Sequence, residues 1–295
     1  MNIKTQEISM SILIEKKIRL FVKRIDQIHE HISGNKWYKL KYNLLELKEL
    51  NKKKILTFGG AFSNHISATA FAAQEEGIKS IGIIRGEKLF PLNPSLYFAK
   101  EQGMQIYYVN RSDYQLKHTK EFISNLKEKF GNFYLVPEGG TNELAIRGTS
   151  EILNENDIQD YICCAVGTGG TIAGIINTSN RTQKIIGFPA IKGFDNLQVE
   201  IKKWTNKENW MLNNDYVCGG YAKVSKELID FTHEFYKSQS IPLDVVYTAK
   251  MMMGILDLIK KDYFKRDSSI LAIHTGGLQG NKGMNERFGY NLPIN

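Results

Sequence analysis

The feature that most constrains this chain is an alternation. Short runs of β-branched and aromatic residues are separated by stretches with apolar residues at helical spacing. Residues 18–23 alternate with period two, and 55–58, 81–84, 106–109, 133–136, 162–166, 185–188 and 270–273 read as buried strands. Between them, segments such as 38–50 and 226–236 place apolar residues three and four apart, the mark of a helix with one buried face. Such alternation predicts an α/β fold with mainly parallel sheets. A length of 295 residues allows one large or two ordinary domains. No repeat or low-complexity linker marks a boundary between them.

Charge raises the question of a polyanionic partner, since Lys+Arg 39 against Asp+Glu 31 leaves a net +8. Only eight of the 39 basic residues are arginine, leaving 31 lysines, scattered in groups such as Lys52-Lys53-Lys54 and Lys260-Lys261. Lysine is the less specific binder of phosphates and bases, and no basic arm exists, so no nucleic-acid partner is expected. The three cysteines, Cys163, Cys164 and Cys218, supply neither a disulfide framework nor a zinc CxxC pair. His29-Glu30-His31 lacks further clustered ligands and reads as a polar loop rather than a metal site. The opening segment has no apolar run of the secretory kind. Residues 161–180 are uncharged over a membrane-spanning length. Gly167, Gly169, Gly170 and Gly174 suit a buried strand, a glycine turn and a helix start better. A cytoplasmic protein without membrane association is expected.

In open α/β sheets ligands sit beyond the carboxyl ends of strands, often where a glycine turn opens a helix. Four places have that form: Gly59-Gly60, Gly139-Gly140, Gly167-Thr168-Gly169-Gly170-Thr171 and Gly276-Gly277. Together they predict one crowded cleft, although each alone could be a tight turn. The loop from Gly167 to Thr171 follows a strong strand and precedes an apolar helix start. Its backbone N–H groups, the hydroxyls of Thr168 and Thr171 and the helix N-terminus suit an anion. It has neither the dinucleotide fingerprint nor a Gly-Lys-Ser/Thr phosphate loop. A small phosphate monoester is the ligand it favours; a turn with no ligand is the bland alternative.

The stretch Ser33-Gly34-Asn35-Lys36-Trp37-Tyr38-Lys39-Leu40 carries a resemblance. Together with Lys23-Arg24-Ile25-Asp26, Ser63-Asn64-His65, the Gly167 loop, Tyr247-Thr248 and His274-Thr275-Gly276-Gly277, it resembles the D-cysteine desulfhydrase / 1-aminocyclopropane-1-carboxylate deaminase family. Those are pyridoxal-phosphate enzymes of fold type II, the tryptophan-synthase-β type. The resemblance implies two parallel-sheet domains with the cofactor in the cleft between them. The large one would span 1–45 and 143–295, and the small one 46–142. It also implies a homodimer.

By the same resemblance Lys36 forms the Schiff base with pyridoxal 5'-phosphate, which needs an amine able to act as a base. Asn64 would bind the ring hydroxyl, and Ser63, the expected N-cap of the following helix, would face the substrate. The loop Gly167, Thr168, Gly169, Gly170, Thr171 would take the phosphate. Tyr221 and Tyr247 would serve in proton transfer and contact with cofactor or substrate. Gly140, Thr141, His65 and Thr275 would lie against the substrate; for His65, stacking near the cofactor and filling the core are equally open.

Thr248 separates the two activities. The resemblance implies a glutamate there in the cyclopropane-opening members, keeping the pyridine nitrogen protonated and the ring a strong electron sink. A threonine gives a hydrogen bond without a charge, enough when a good leaving group such as thiolate departs from Cβ. Thr275 likewise matches the desulfhydrase side. Ile25, Ala249 and Leu278-Gln279 depart from the family pattern. The expected activity is α,β-elimination on a small amino acid, D-cysteine first. The alternatives are 1-aminocyclopropane-1-carboxylate deamination and, from another class, noncatalytic phosphate or nucleotide binding.

Overall fold

The β-branched runs build two sheets. The computed structural model describes residues 3–88, 90–191, 196–220 and 222–294. Among them the strands are β1 (Thr5–Ile8), β2 (Arg19–Lys23), β3 (Lys54–Gly59), β4 (Lys79–Arg85), β5 (Gln105–Val109), β6 (Tyr134–Val136), β7 (Tyr161–Val166), β8 (Lys184–Pro189), β9 (Trp210–Leu212) and β10 (Ser269–Ile273). The first helices are α1 (Ser11–Lys16), α2 (Asn35–Glu49), α3 (Asn64–Glu75), α4 (Pro94–Glu101), α5 (Arg111–Gln115) and α6 (Lys120–Phe130). They are followed by α7 (Glu143–Thr149), α8 (Gly170–Thr178), α9 (Leu197–Lys202), α10 (Lys226–Gln239), α11 (Thr248–Lys260) and α12 (Gln279–Phe288).

The larger sheet has the order β1-β2-β10-β7-β8-β9, parallel throughout except for β1 against β2. The smaller sheet, β5-β4-β3-β6, is wholly parallel. Parallel strands must be covered on both faces, which is why they read as continuous apolar runs. Phe235, Met252 and Ile255 pack on one face of the larger sheet, and Ile172, Ile175 and Ile176 on the other. Residues 161–180 form β7, a glycine turn and α8. No described helix is long and apolar enough to cross a membrane.

Two strands escaped the sequence reading. Both β1 and β9 are short edge strands without a continuous apolar run, β1 reading TQEI and β9 being three residues among polar neighbours. The smaller sheet draws its strands only from 54–136, and α2 runs unbroken across residue 45.

Helix α7 docks on α2 through a glycine. A Cβ on Gly148 would lie 2.0 Å from the carbonyl oxygen of Tyr38. Alanine ordinarily stabilises a helix interior by about 1 kcal/mol over glycine. Here Gly148→Ala must push two helices apart and should instead cost about 2 kcal/mol or more. Thermal melts should show a Tm fall of roughly 4 °C or more; an unchanged or higher Tm would contradict this packing.

Candidate active site

Four helices begin at one place. Residues at the starts of α2, α3, α8 and α11 wall a cavity of about 230 Å³ beyond the carboxyl ends of strands from both sheets. Each start leaves backbone N–H groups without helical partners and the positive end of a helix dipole. Gly60, Gly139, Gly167 and Gly276 all line the cavity, so the four glycine turns share one cleft.

Lys36 is the second residue of α2, and its position is set by close backbone packing. Gly34 has φ +65°, and a Cβ there would lie 1.9 Å from the Thr275 carbonyl oxygen. The Asn35 N–H donates to that same oxygen at 3.2 Å. Lys36 Nζ donates to the Gly139 carbonyl at 3.3 Å, and burial pulls its pKa down to about 8. One turn on, Lys39 Nζ donates to the same carbonyl at 2.9 Å and to Thr141 Oγ1 at 3.1 Å. Lys39 is 2% exposed and has no carboxylate at ion-pair distance among the described residues. Burial first, then the charge of Lys36, push its pKa well down.

The glycine loop lies against this pair. Thr141 Oγ1 is 2.6 Å from Thr168 Oγ1. A Cβ on Gly170 would meet Thr141 Oγ1 at 2.8 Å and Lys39 Nζ at 3.0 Å, so only glycine lets Lys39 reach the start of α8. Asn35 Nδ2 donates to Thr171 Oγ1 at 2.8 Å, tying the starts of α2 and α8 together. The backbone N–H groups, the threonine hydroxyls and an ammonium with only neutral partners form a donor set that a phosphate monoester completes.

Around the rest of the cavity stand Ser63, Asn64, His65, Tyr247 and Thr275. Ser63 caps α3, its Oγ accepting the Ile66 N–H at 3.4 Å. The Tyr247 ring lies over Gly167, where a Cβ would be 3.3 Å from Cε1. Thr57 Oγ1 donates to the Val136 carbonyl at 2.9 Å and sits 2.8 Å from His65 Nε2. The His65 proton is therefore on Nε2, leaving buried Nδ1 with a lone pair and no hydrogen-bond partner among the described residues. Burial, Lys36 and Lys39 push its pKa well down, so the ring is neutral. His65 is 1% exposed, as a core residue would be, and lines the cavity.

His274 supports the wall from behind. Its Nε2–H donates to the Pro242 carbonyl at 2.7 Å, and its Nδ1 accepts the Gly276 N–H at 3.2 Å. The ion pair of Arg24 with Asp26, at 2.7 Å, lies beside it.

Some expected residues stand elsewhere. Gly140, Thr141 and Gly170 lie just behind the wall rather than on it. Thr248 is fully buried, and its Oγ1 accepts the Asp244 N–H at 2.8 Å. Tyr221 lies outside the described residues. Lys39, Asn35, Arg85 and Glu138 line the cavity without having been singled out. For Lys39 a signal existed, since three residues after Lys36 is the same helix face.

A lysine amine of depressed pKa beside a phosphate-sized donor cradle suits a cofactor with an aldehyde and a phosphate. A family model described as pyridoxal-phosphate dependent enzyme matches residues 12–276. A Thermotoga maritima protein, provisionally named 1-aminocyclopropane-1-carboxylate deaminase, is 32% identical over 88% of this chain and 89% of its own length. A mitochondrial protein of Arabidopsis thaliana, named bifunctional D-cysteine desulfhydrase/1-aminocyclopropane-1-carboxylate deaminase, is 29% identical over 88% of this chain and 73% of its own. The crystal structure of an ACC deaminase homologue matches with a TM-score of 0.81 at 26% identity, covering 97% of this chain and 93% of that one. A hydrogen sulfide-producing enzyme from Fusobacterium nucleatum shares the fold at TM-score 0.69 and 13% identity, covering 94% of this chain and 96% of that one. The chain thus belongs to the pyridoxal-phosphate dependent enzymes, with fold type II, in the group of the 1-aminocyclopropane-1-carboxylate deaminases and D-cysteine desulfhydrases.

Proposed function

We propose that this enzyme eliminates the β-substituent of a small amino acid, D-cysteine first, which with water gives pyruvate, sulfide and ammonia. The observation that carries this reading is the pair of lysine Nζ groups on the Gly139 carbonyl. Lys36 is an amine poised near neutrality, and Lys39 is a cation short of an anion.

Pyridoxal phosphate would be held at its phosphate by Lys39, the backbone from Gly167 to Thr171 and the hydroxyls of Thr168 and Thr171. Asn64 would take the ring hydroxyl, Thr248 the ring nitrogen and Lys36 Nζ the aldehyde carbon. Once bound, the cofactor supplies an electron sink that acidifies the substrate Cα–H. Lys36 Nζ takes that proton, and the Gly139 carbonyl then accepts a hydrogen bond from the ammonium. The N-terminal N–H groups of α3, with Ser63 Oγ, receive the substrate carboxylate. Tyr247 hands a proton to the leaving group. A homodimer in the cytoplasm belongs to the same reading.

Thr248 favours a thiolate leaving group over ring opening. Its Oγ1 already accepts the Asp244 N–H at 2.8 Å, and among the described residues its proton has only the Asp244 carbonyl at 3.4 Å to go to. That leaves a polarised neutral donor where a carboxylate would stand in a strong-sink enzyme. The two activities in the Arabidopsis relative's name are therefore ranked with desulfhydration first.

Pyruvate release should be measured across D-cysteine, L-cysteine, D-serine, β-chloro-D-alanine and 1-aminocyclopropane-1-carboxylate, with D-cysteine fastest. Turnover of the last alone would overturn the threonine argument. Lys36→Ala should lose roughly a thousandfold or more in rate and the yellow absorbance of the bound cofactor; covalent loading that survives would reject Lys36.

Thr248→Val should lower kcat about tenfold while Thr248→Ser retains it, because only a hydroxyl serves the ring nitrogen. Equal rates in both variants would reject that contact.

Lys39→Met should weaken cofactor binding by roughly 10- to 100-fold. The pH dependence of stability tests Lys39 separately. Its pKa is depressed in the folded protein, so the unfolded chain binds its proton more readily, and cofactor-free stability should rise with pH towards the ordinary lysine value. Tm against pH should be flatter in Lys39→Met than in the parent; parallel curves would place the buried charge elsewhere.

A further inference from the structure

Two buried oxygens at the edge of the site lack a hydrogen-bond partner among the described residues: Asn64 Oδ1 and Asp244 Oδ2. Both face the same two glycines. A Cβ on Gly280 would lie 3.3 Å from Asp244 Oδ2 and 4.0 Å from Asn64 Oδ1. A Cβ on Gly277 would lie 2.8 Å from Asn64 Nδ2 and 3.1 Å from Asp244 Cγ. The carboxamide and the carboxyl group thus pack on one patch of backbone that has no side chain to separate them.

Asp244 cannot turn away. Its Oδ1 accepts the Tyr247 N–H at 2.7 Å, capping α11, while its own N–H donates to Thr248 Oγ1. The charged side chain acting on it is Lys250, on α11, whose Nζ is committed to the carbonyls of Val217 at 3.0 Å and Gly220 at 2.7 Å. Asn64 of α3 shares with Asp244 the backbone of Gly277 and Gly280, at the turn into α12. Burial lifts the Asp244 carboxyl to about 7, against the pull of the Tyr247 N–H and Lys250. Both of its protonation states are therefore populated near neutral pH.

We propose that Asp244 is a positioning residue whose protonation decides which end of the Asn64 carboxamide faces the cavity. When protonated, its Oδ2–H donates to Asn64 Oδ1 and turns Nδ2 inward as a donor. When ionised, Oδ2 accepts the Asn64 Nδ2–H and turns Oδ1 inward as an acceptor. This rests on the reading that Asn64 meets the cofactor's ring oxygen. An inward donor holds that oxygen and an inward acceptor repels its anionic form.

The test uses 4-deoxypyridoxine 5'-phosphate, which has the ring hydroxyl and phosphate but no aldehyde, so Lys36 forms no bond to it. Its Kd is measured with the full-length cofactor-free protein, as wild type, Asp244→Asn and Asp244→Ser, between about pH 6 and about pH 8.5. Asparagine keeps the cap through Oδ1 and places an amide donor against Asn64 Oδ1 at every pH. The Kd ratio of wild type to Asp244→Asn should be near one at the acid end and about tenfold at the alkaline end. Titration of the ligand itself cancels in that ratio. Serine keeps the cap but has no second polar atom, so wild type should bind more tightly than Asp244→Ser in acid and lose that advantage in alkali. Should Asp244→Asn not fold, the serine comparison decides alone. Ratios that stay constant with pH overturn the positioning role, and if wild type still releases pyruvate the proposed function stands without it. No binding to wild type at any pH overturns the reading of the site and this inference together.

Discussion

The site is organised by one carbonyl oxygen, that of Gly139, on which the side-chain nitrogens of Lys36 and Lys39 converge. A buried cation with no carboxylate partner is costly to fold, so the surrounding structure must hold the lysines in place by other means. It does so by packing backbone directly on backbone. Gly34 brings the first turn of α2 onto the Thr275 carbonyl, and Gly148 brings α7 onto the carbonyl of Tyr38 four residues along. In each case a methyl group would occupy the space of a carbonyl. The helix bearing Lys36 and Lys39 is thereby clamped at its start and along its side, and the charges stay where only an anion relieves them.

The same residues cap helices and line the cavity. Ser63 accepts the Ile66 N–H, Asn35 binds the start of α8 through Thr171, and Asp244 caps α11 while Thr248 returns the bond to the Asp244 backbone. These follow from one requirement, since a helix start has unpaired N–H groups that a polar side chain or a ligand must satisfy. A ligand site built at several helix starts can satisfy the rest. That is why short polar residues accumulate there, and why removing one is expected to move both stability and binding.

Much of this was legible before any coordinates. The interior strands could be read because parallel strands covered on both faces must be continuously apolar; β7, with Ile162 to Val166 buried, is the clearest. The four glycine turns pointed to one cleft because each follows a strand. For Lys39 the one signal is its place on the same helix face as Lys36; otherwise its local sequence does not set it apart among 31 lysines. Thr248 was assigned a cofactor contact through resemblance alone. That its hydroxyl is already engaged by the Asp244 N–H depends on a turn whose geometry the residues 244–248 do not announce. Edge strands β1 and β9 are not legible because β1 is mostly polar, TQEI, and the three residues of β9 are flanked by polar and charged ones.

The net charge of +8 takes on a different meaning here. Charges on a solvated surface are screened over about 8 to 10 Å at physiological salt, so dispersed lysines contribute little to selection inside a walled cavity. What selects an anion there is fixed and local: the N–H groups at the starts of α3 and α8, with Lys39 held by neutral hydrogen-bond partners and Lys36 and Arg85 on the same wall. His65 adds no positive charge, because burial and the two lysines keep it neutral. A second cation beside Lys36 would raise the cost of burying Lys39 still further. Backbone dipoles thus add to the positive potential of the site, and they need no counter-ion and do not titrate.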